Sequence, residues 1–223
     1  MKKILKKANR GLLLSAVVLS ILTIYVIADY VSFQSQKDTI NQVIINYYDE
    51  ICKTNVEPDA LSAAHHEKVK DIIQTYWSDA DTSLNWSTTK SDMMNFATEL
   101  FTGDDIVYDI TDVDYKTQNI KIKKTGPGYA SVTLKYTTSI TGMSDSHILT
   151  PSNLRVMSDS SEDYYEDVET AIDTPESSEN ISQKGILTYS ANVTIELHKD
   201  NGEWKICAID AYENSSSFNN INE

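Results

Sequence analysis

Proline, glycine and cysteine are all scarce in this 223-residue chain, at four, seven and two residues. So little Gly and Pro excludes a collagen-like or low-complexity chain. Two cysteines allow one disulfide at most, and no C-x-x-C occurs, which removes thiol-exchange chemistry. Positive charge is short as well. Lys and Arg number 19 against 33 Asp and Glu, a formal net charge of −14. Lys2, Lys3, Lys6, Lys7 and Arg10 lie in the first ten residues, where there is no acid; the remainder carries 14 bases against the same 33 acids. Such a surface repels phosphate backbones, so direct nucleic-acid binding is excluded as a main activity.

Charge is absent altogether from Gly11 to Ala28, GLLLSAVVLSILTIYVIA. Extended through Asp29 to Val31, this run reaches the roughly 20 residues that a membrane-spanning helix requires, beyond the 7–15 of a signal-peptide core. The expected layout is a basic cytoplasmic tail over residues 1–10 and a transmembrane anchor over 11–31. The positive-inside bias then puts the rest outside the cytoplasm. Cleavage near Ala28, releasing a secreted chain, is the alternative.

Beyond the anchor the hydrophobic period is helical. Ile40, Val43, Ile44, Tyr47 and Ile51 share one stripe, and no Gly or Pro separates this helix from the span, so the two can form one rod. Pro58 opens a second helix with Leu61, Val69, Ile72, Ile73 and Tyr76 inward. A third runs from about Lys90 to Thr102, with Met94, Ala97, Leu100 and Phe101 inward and Gly103 as its stop. From there the period becomes two, the mark of strands. Ile106, Tyr108 and Ile110 form one strand, Ile120 and Ile122 a shorter one, and Ala130, Val132, Leu134 and Tyr136 a third. The last hairpin pairs Tyr189–Leu197 with Trp204–Ala208 across Asp200-Asn201-Gly202. Helices followed by antiparallel strands give an α+β domain over 36–213, three helices on a curved sheet of about five strands, with a polar tail over 214–223. Between Gly142 and Gly185 the chain is Ser-rich and acidic. This stretch reads as a mobile insertion with a short helix near Tyr164–Ala171.

YASVTLKYTTSIT (Tyr129–Thr141) and LHKDNGEWKICAID (Leu197–Asp210), placed after three helices, resemble the nuclear-transport-factor-two-like, or cystatin-like, cone superfamily. That resemblance implies helices packed into a curved sheet, in a fold shared by isomerases and dehydratases, ligand binders and structural modules. The basic tail, single span and one exported cone domain resemble the bitopic assembly factors of type IV secretion and conjugation machines. In that family the implied role is a scaffold contacting itself and other envelope proteins.

Candidate chemistry is sparse. His65-His66 point about 100° apart on a helix and cannot share one ion. DSSEDYYEDVET (Asp159–Thr170) lacks the glycine at position six and the glutamate at position twelve of a calcium loop. Asp112 and Asp114 share one strand face and read as solvated acids that guard a sheet edge. No Ser/His/Asp set, phosphate loop or zinc spacing is present, so neither a metal nor a cofactor is expected. Cys52 and Cys207 either form a disulfide or remain two small buried side chains. Inside a cone, Tyr47, Tyr189, Trp204 and Asp210 are the ligand-pocket candidates. Asp210 is the one catalytic candidate, as an acid with Tyr47 or Tyr212 beside it. The expected function is a membrane-anchored interaction module, with a small-ligand sensor second and an isomerase or dehydratase last.

Overall fold

The structure is a computed structural model that describes residues 10–56, 62–102, 107–157 and 183–221. It divides into two compact units, Met1–Gln42 and Val43–Glu223. Helix α1 runs unbroken over Arg10–Thr54. Its N-terminal portion is apolar and exposed at every residue from Gly11 to Val31, with a mean hydropathy of 2.5 over its best 18-residue window. The helix is therefore long and apolar enough to cross a membrane.

In the second unit α1 presents Ile44, Tyr47, Tyr48 and Ile51 as buried positions. This stripe takes in Tyr48 and leaves Val43 only half-buried. Helix α2 (Ala63–Tyr76) starts at Ser62, whose hydroxyl accepts from the His65 N–H as an N-cap. It buries His65, Val69, Ile72 and Ile73. The expected starts and stops at Pro58, Leu61, Gly103 and Ile106 lie outside the described residues. Helix α3 (Lys90–Thr102) buries Met93, Ala97 and Leu100, so Met93 takes the inward place expected for Met94, and Phe101 is half-buried. The one-residue shift follows from i, i+4, i+7 spacing, which puts Met93 on the Ala97–Leu100 stripe.

Strands β1 (Thr88–Thr89), β2 (Ile110–Gly126), β3 (Tyr129–Met143), β6 (Lys184–Asp200) and β7 (Glu203–Asn220) form one antiparallel sheet in the order β1-β7-β6-β3-β2. The fold is α+β, with a five-stranded antiparallel sheet as expected. Two expected strands prove to be one: β2 passes through Ile110 and Ile120–Ile122, with a register shift around Asn119, which sits at φ 57°. Such a bulge re-aims the strand without ending it. The residues expected as a polar tail continue β7 as far as Asn220, because Ser215–Asn220 pair with Gly185–Ser190.

A second, two-stranded sheet comes from β4 (His147–Leu149) and β5 (Leu154–Val156). It folds the start of the segment expected to be a mobile acidic insertion. The turn between them is closed by Thr150, whose N–H and hydroxyl both donate to the Asn153 carbonyl at 2.8 and 3.0 Å. Asn55, the residue after α1, also binds it, with its amide donating to the Leu149 carbonyl and accepting from the Leu149 N–H, both at 2.9 Å. The acidic loop and short helix expected at Asp159–Ala171 lie outside the described residues.

Candidate functional site

Even-numbered residues of β3 and odd-numbered residues of β6 face one side of the sheet. Val132, Leu134, Tyr136 and Ile140 pair in register with Ile195, Val193, Ala191 and Leu187, and all are buried. Against this face α1 sets Tyr47 and Tyr48. Tyr48 meets Tyr136 edge-on at 5.2 Å, and Tyr136 meets Tyr189 at 5.7 Å, the T-shaped geometry that aromatic quadrupoles favour. The Tyr47 hydroxyl donates to the Pro151 carbonyl at 2.8 Å, tying the helix to the β4–β5 turn.

Tyr48, Tyr136 and Tyr189 border a cavity of about 40 Å³, whose lining also includes Asn153, Arg155 and Glu213. That volume holds a few water molecules rather than a drug-sized ligand. Of its lining residues, Arg155 is the only base and Glu213 the only acid, and they form an ion pair. The guanidinium also donates to the Ser216 hydroxyl at 2.9 Å and lies 4.6 Å from the centre of the Tyr189 ring. Cation–π contact and the carboxylate together fix its plane. Its Nε is buried without a hydrogen-bond partner.

Burial shifts the titratable groups of this interior in one direction. Desolvation disfavours phenolate, so Tyr47, Tyr48, Tyr136 and Tyr189 are all held above the ordinary tyrosine value. Cys52, within 3.6 Å of the Tyr136 hydroxyl, is pushed up to about 12 by the same cause. None is poised to act as a base near neutral pH.

The four expected pocket residues separate. Tyr189 lines the cavity, whereas Tyr47 is buried outside its lining and donates to the Pro151 carbonyl. Trp204 lies at the far hairpin end, across from Lys199, whose ammonium is 5.9 Å from its ring. Asp210 is on the other side of the sheet, and a bulge is the reason. Ile206 pairs with Leu197 and Ala208 with Glu196, so Cys207 is an extra residue in β7. Past it the alternation inverts: Ile209 and Ala211 now share a side with Ile195 and Val193, while Asp210 shares a side with Thr194. Tyr212 turns outward with Asn192 and is 73% exposed. The inward acid is Glu213, opposite Ala191. Sequence alternation alone misses this, since nothing in KICAID announces a bulge. Arg155 did leave a signal, as the one arginine after residue 10.

Cys52 and Cys207 are both buried free thiols. They have different surroundings. Cys52 is beside Tyr136, whereas Cys207 is pushed up to about 12 by burial and then by the Glu196 charge. His65 is buried, and both His65 and His66 meet the Phe101 ring, at 5.6 Å and, stacked, at 4.5 Å. Among the described residues no group of His, Cys, Asp and Glu is placed to hold a metal ion.

Glu196 occupies the opposite face of the sheet from Ile195 and Leu197 and is nearly buried. Its carboxylate accepts from the Thr82 hydroxyl at 2.6 Å, the Ser83 N–H at 2.8 Å and the Ser83 hydroxyl. Burial alone would raise its pKa, but the hydrogen bonds from Ser83 and Thr82 outweigh that and hold it below the ordinary value.

No protein-family model matches this chain, and no curated protein matches it. Among solved structures, a protein from Novosphingobium aromaticivorans with the provisional name scytalone dehydratase is similar at 10% identity and a TM-score of 0.44. The match covers 85% of this chain and 91% of that one. At that level it carries no argument about fold or function.

Proposed function

We propose that this chain is a membrane-anchored interaction module of the cell envelope. Residues 11–31 cross the membrane, the basic tail stays in the cytoplasm, and the domain beyond the membrane binds other envelope proteins. The observation that carries this reading is the state of the interior. The cavity bordered by Tyr48, Tyr136 and Tyr189 is about 40 Å³, and the one acid and one base lining it are paired with each other. A pocket enzyme uses a group with a pKa matched to its task, held unpaired against the substrate. Here the interior holds up-shifted tyrosines and a closed ion pair. The exposed apolar run of α1 supports the anchor. An assembly component of a conjugation or secretion machine is the most specific form of the proposal, and it accords with the basic tail, single span and single domain.

A second reading draws on Arg155. Its unpartnered Nε beside the cavity suits a small anionic ligand that would displace Glu213. Cross-linking of the full-length chain in its native membranes, followed by mass spectrometry, separates the two. The interaction reading expects other envelope proteins at stoichiometric yield. Recovery of the chain alone, with a thermal shift by a small carboxylate that Arg155→Met abolishes, would replace it with the ligand reading.

A further inference from the structure

Trp86 is fully exposed, at 100% of its free surface, and sits at φ 61°. Both facts are unusual. A Trp ring normally gains by burying 150–250 Å², and the left-handed region is unfavourable for a bulky side chain. A mobile tip would explain the exposure, but the segment is held from both sides. On one side Glu196 clasps Thr82 and Ser83, and the Leu84 N–H donates to the Thr82 hydroxyl at 3.1 Å. On the other, Thr88 and Thr89 pair with Ile209 and Ala208, and the Thr88 hydroxyl donates to the Ser152 carbonyl at 2.6 Å. The fold therefore fixes a strained backbone that points an aromatic ring into solvent. Strain maintained by surrounding contacts is a mark of function.

We infer that Trp86 is the anchor of a protein–protein contact, inserting into an apolar pocket with a basic rim on an envelope partner. Aromatic anchors in rigid settings dominate interface energetics, because little freedom is lost when they dock. The rim follows from charge. Asp81, five residues before Trp86, is exposed, and the Asp79 side chain is 82% exposed even while it pairs with Lys90. A lipid surface is the wrong occupant, since interfacial Trp residues act with Lys and Arg toward anionic headgroups and the only charged residues of the segment between Trp77 and Trp86 are the acids Asp79 and Asp81. A second copy is also disfavoured, because the chain beyond residue 10 carries 14 bases against 33 acids and a second such excess of acids would meet at the same contact.

This inference rests on the interaction reading and names its contact. The test places p-benzoylphenylalanine at position 86 of the full-length chain and irradiates native membranes. One discrete protein adduct is expected, with its cross-linked peptide in an apolar segment flanked by Lys or Arg. Its yield should fall about fivefold in the Asp79→Asn/Asp81→Asn variant and in 0.5 M salt, roughly as a screened charge contact should. The same photoprobe at Lys121, on the far edge strand, should not give that adduct. No adduct at position 86, a lipid adduct or an adduct to a second copy would each overturn the inference. Native electrophoresis of Trp86→Ala keeps the failures distinguishable. A large complex that survives the substitution rejects Trp86 as the anchor and leaves the interaction reading intact. A lone monomer of the unaltered chain rejects the reading itself.

Discussion

Two glutamates on opposite faces of one sheet are neutralised in different ways. Glu213 looks into the tyrosine-lined interior and is matched by Arg155, 58 residues away in sequence. Glu196 looks outward and is held by two hydroxyls and a backbone N–H, with no cation in its hydrogen-bonded set. A charge pair closes the inner face. On the outer face a buried carboxylate uses its capacity to accept several hydrogen bonds to shape a loop. The inner arrangement seals space, and the outer one presents a side chain to solvent.

The largest test of that contrast is at the interior rings. Tyr48→Ala should cost about 3–5 kcal/mol, as for other large aromatic truncations in a packed core, read from urea unfolding of the detergent-solubilised chain. A loss below about 1 kcal/mol would mean that the tyrosine face is not packed as described. Next comes the ion pair. A double-mutant cycle of Arg155→Met and Glu213→Gln should give a coupling of about 1–2 kcal/mol, toward the lower end for charge-assisted bonds because Glu213 is partly solvated. Zero coupling would remove the pair as the closure of the cavity.

Glu196 supplies a smaller effect with a pH signature. Its folded pKa lies below the unfolded value, so its contribution is complete above the ordinary carboxylate range, near 4.3, and is lost as pH falls through the lower folded value. Glu196→Gln should therefore melt earlier than the unaltered chain at pH 7, by about 1 kcal/mol, with the gap closing below about pH 4. A constant gap across that range would show that the carboxylate charge is not what holds Thr82 and Ser83. Smallest of all, Trp86→Gly should leave stability within about 0.5 kcal/mol, since the ring contributes nothing to the core and glycine tolerates positive φ. A large loss would make Trp86 a structural residue.

These sites differ in how far sequence could reach them. The strands of the inner face are legible because Ala130–Tyr136 and Tyr189–Leu197 alternate cleanly, and the Asp200-Asn201-Gly202 turn gives the second of them its partner in Trp204–Ala208. Tyr189 follows that alternation and is buried on the inner face. Asp210 lies on the other face because one inserted residue, Cys207, inverts the alternation until a second extra residue, Asn214, restores it, and a bulge has no required residue type. Arg155 and the β4–β5 hairpin were obscured by the acidic composition of the segment that contains them. The clasp of Glu196 on Thr82 and Ser83 joins positions more than 110 residues apart. Local periodicity carries no such information.

The most direct test of the central claim is residue-level oxidative footprinting of the full-length chain, in native membranes and again after purification. A closed interior and an outward contact predict that Trp86 is protected in membranes and becomes reactive once purified, while Tyr136 and Tyr189 stay unreactive in both. Equal reactivity of Trp86 in both states, with changes at Tyr136 or Tyr189 instead, would contradict the account and move the function to the cavity.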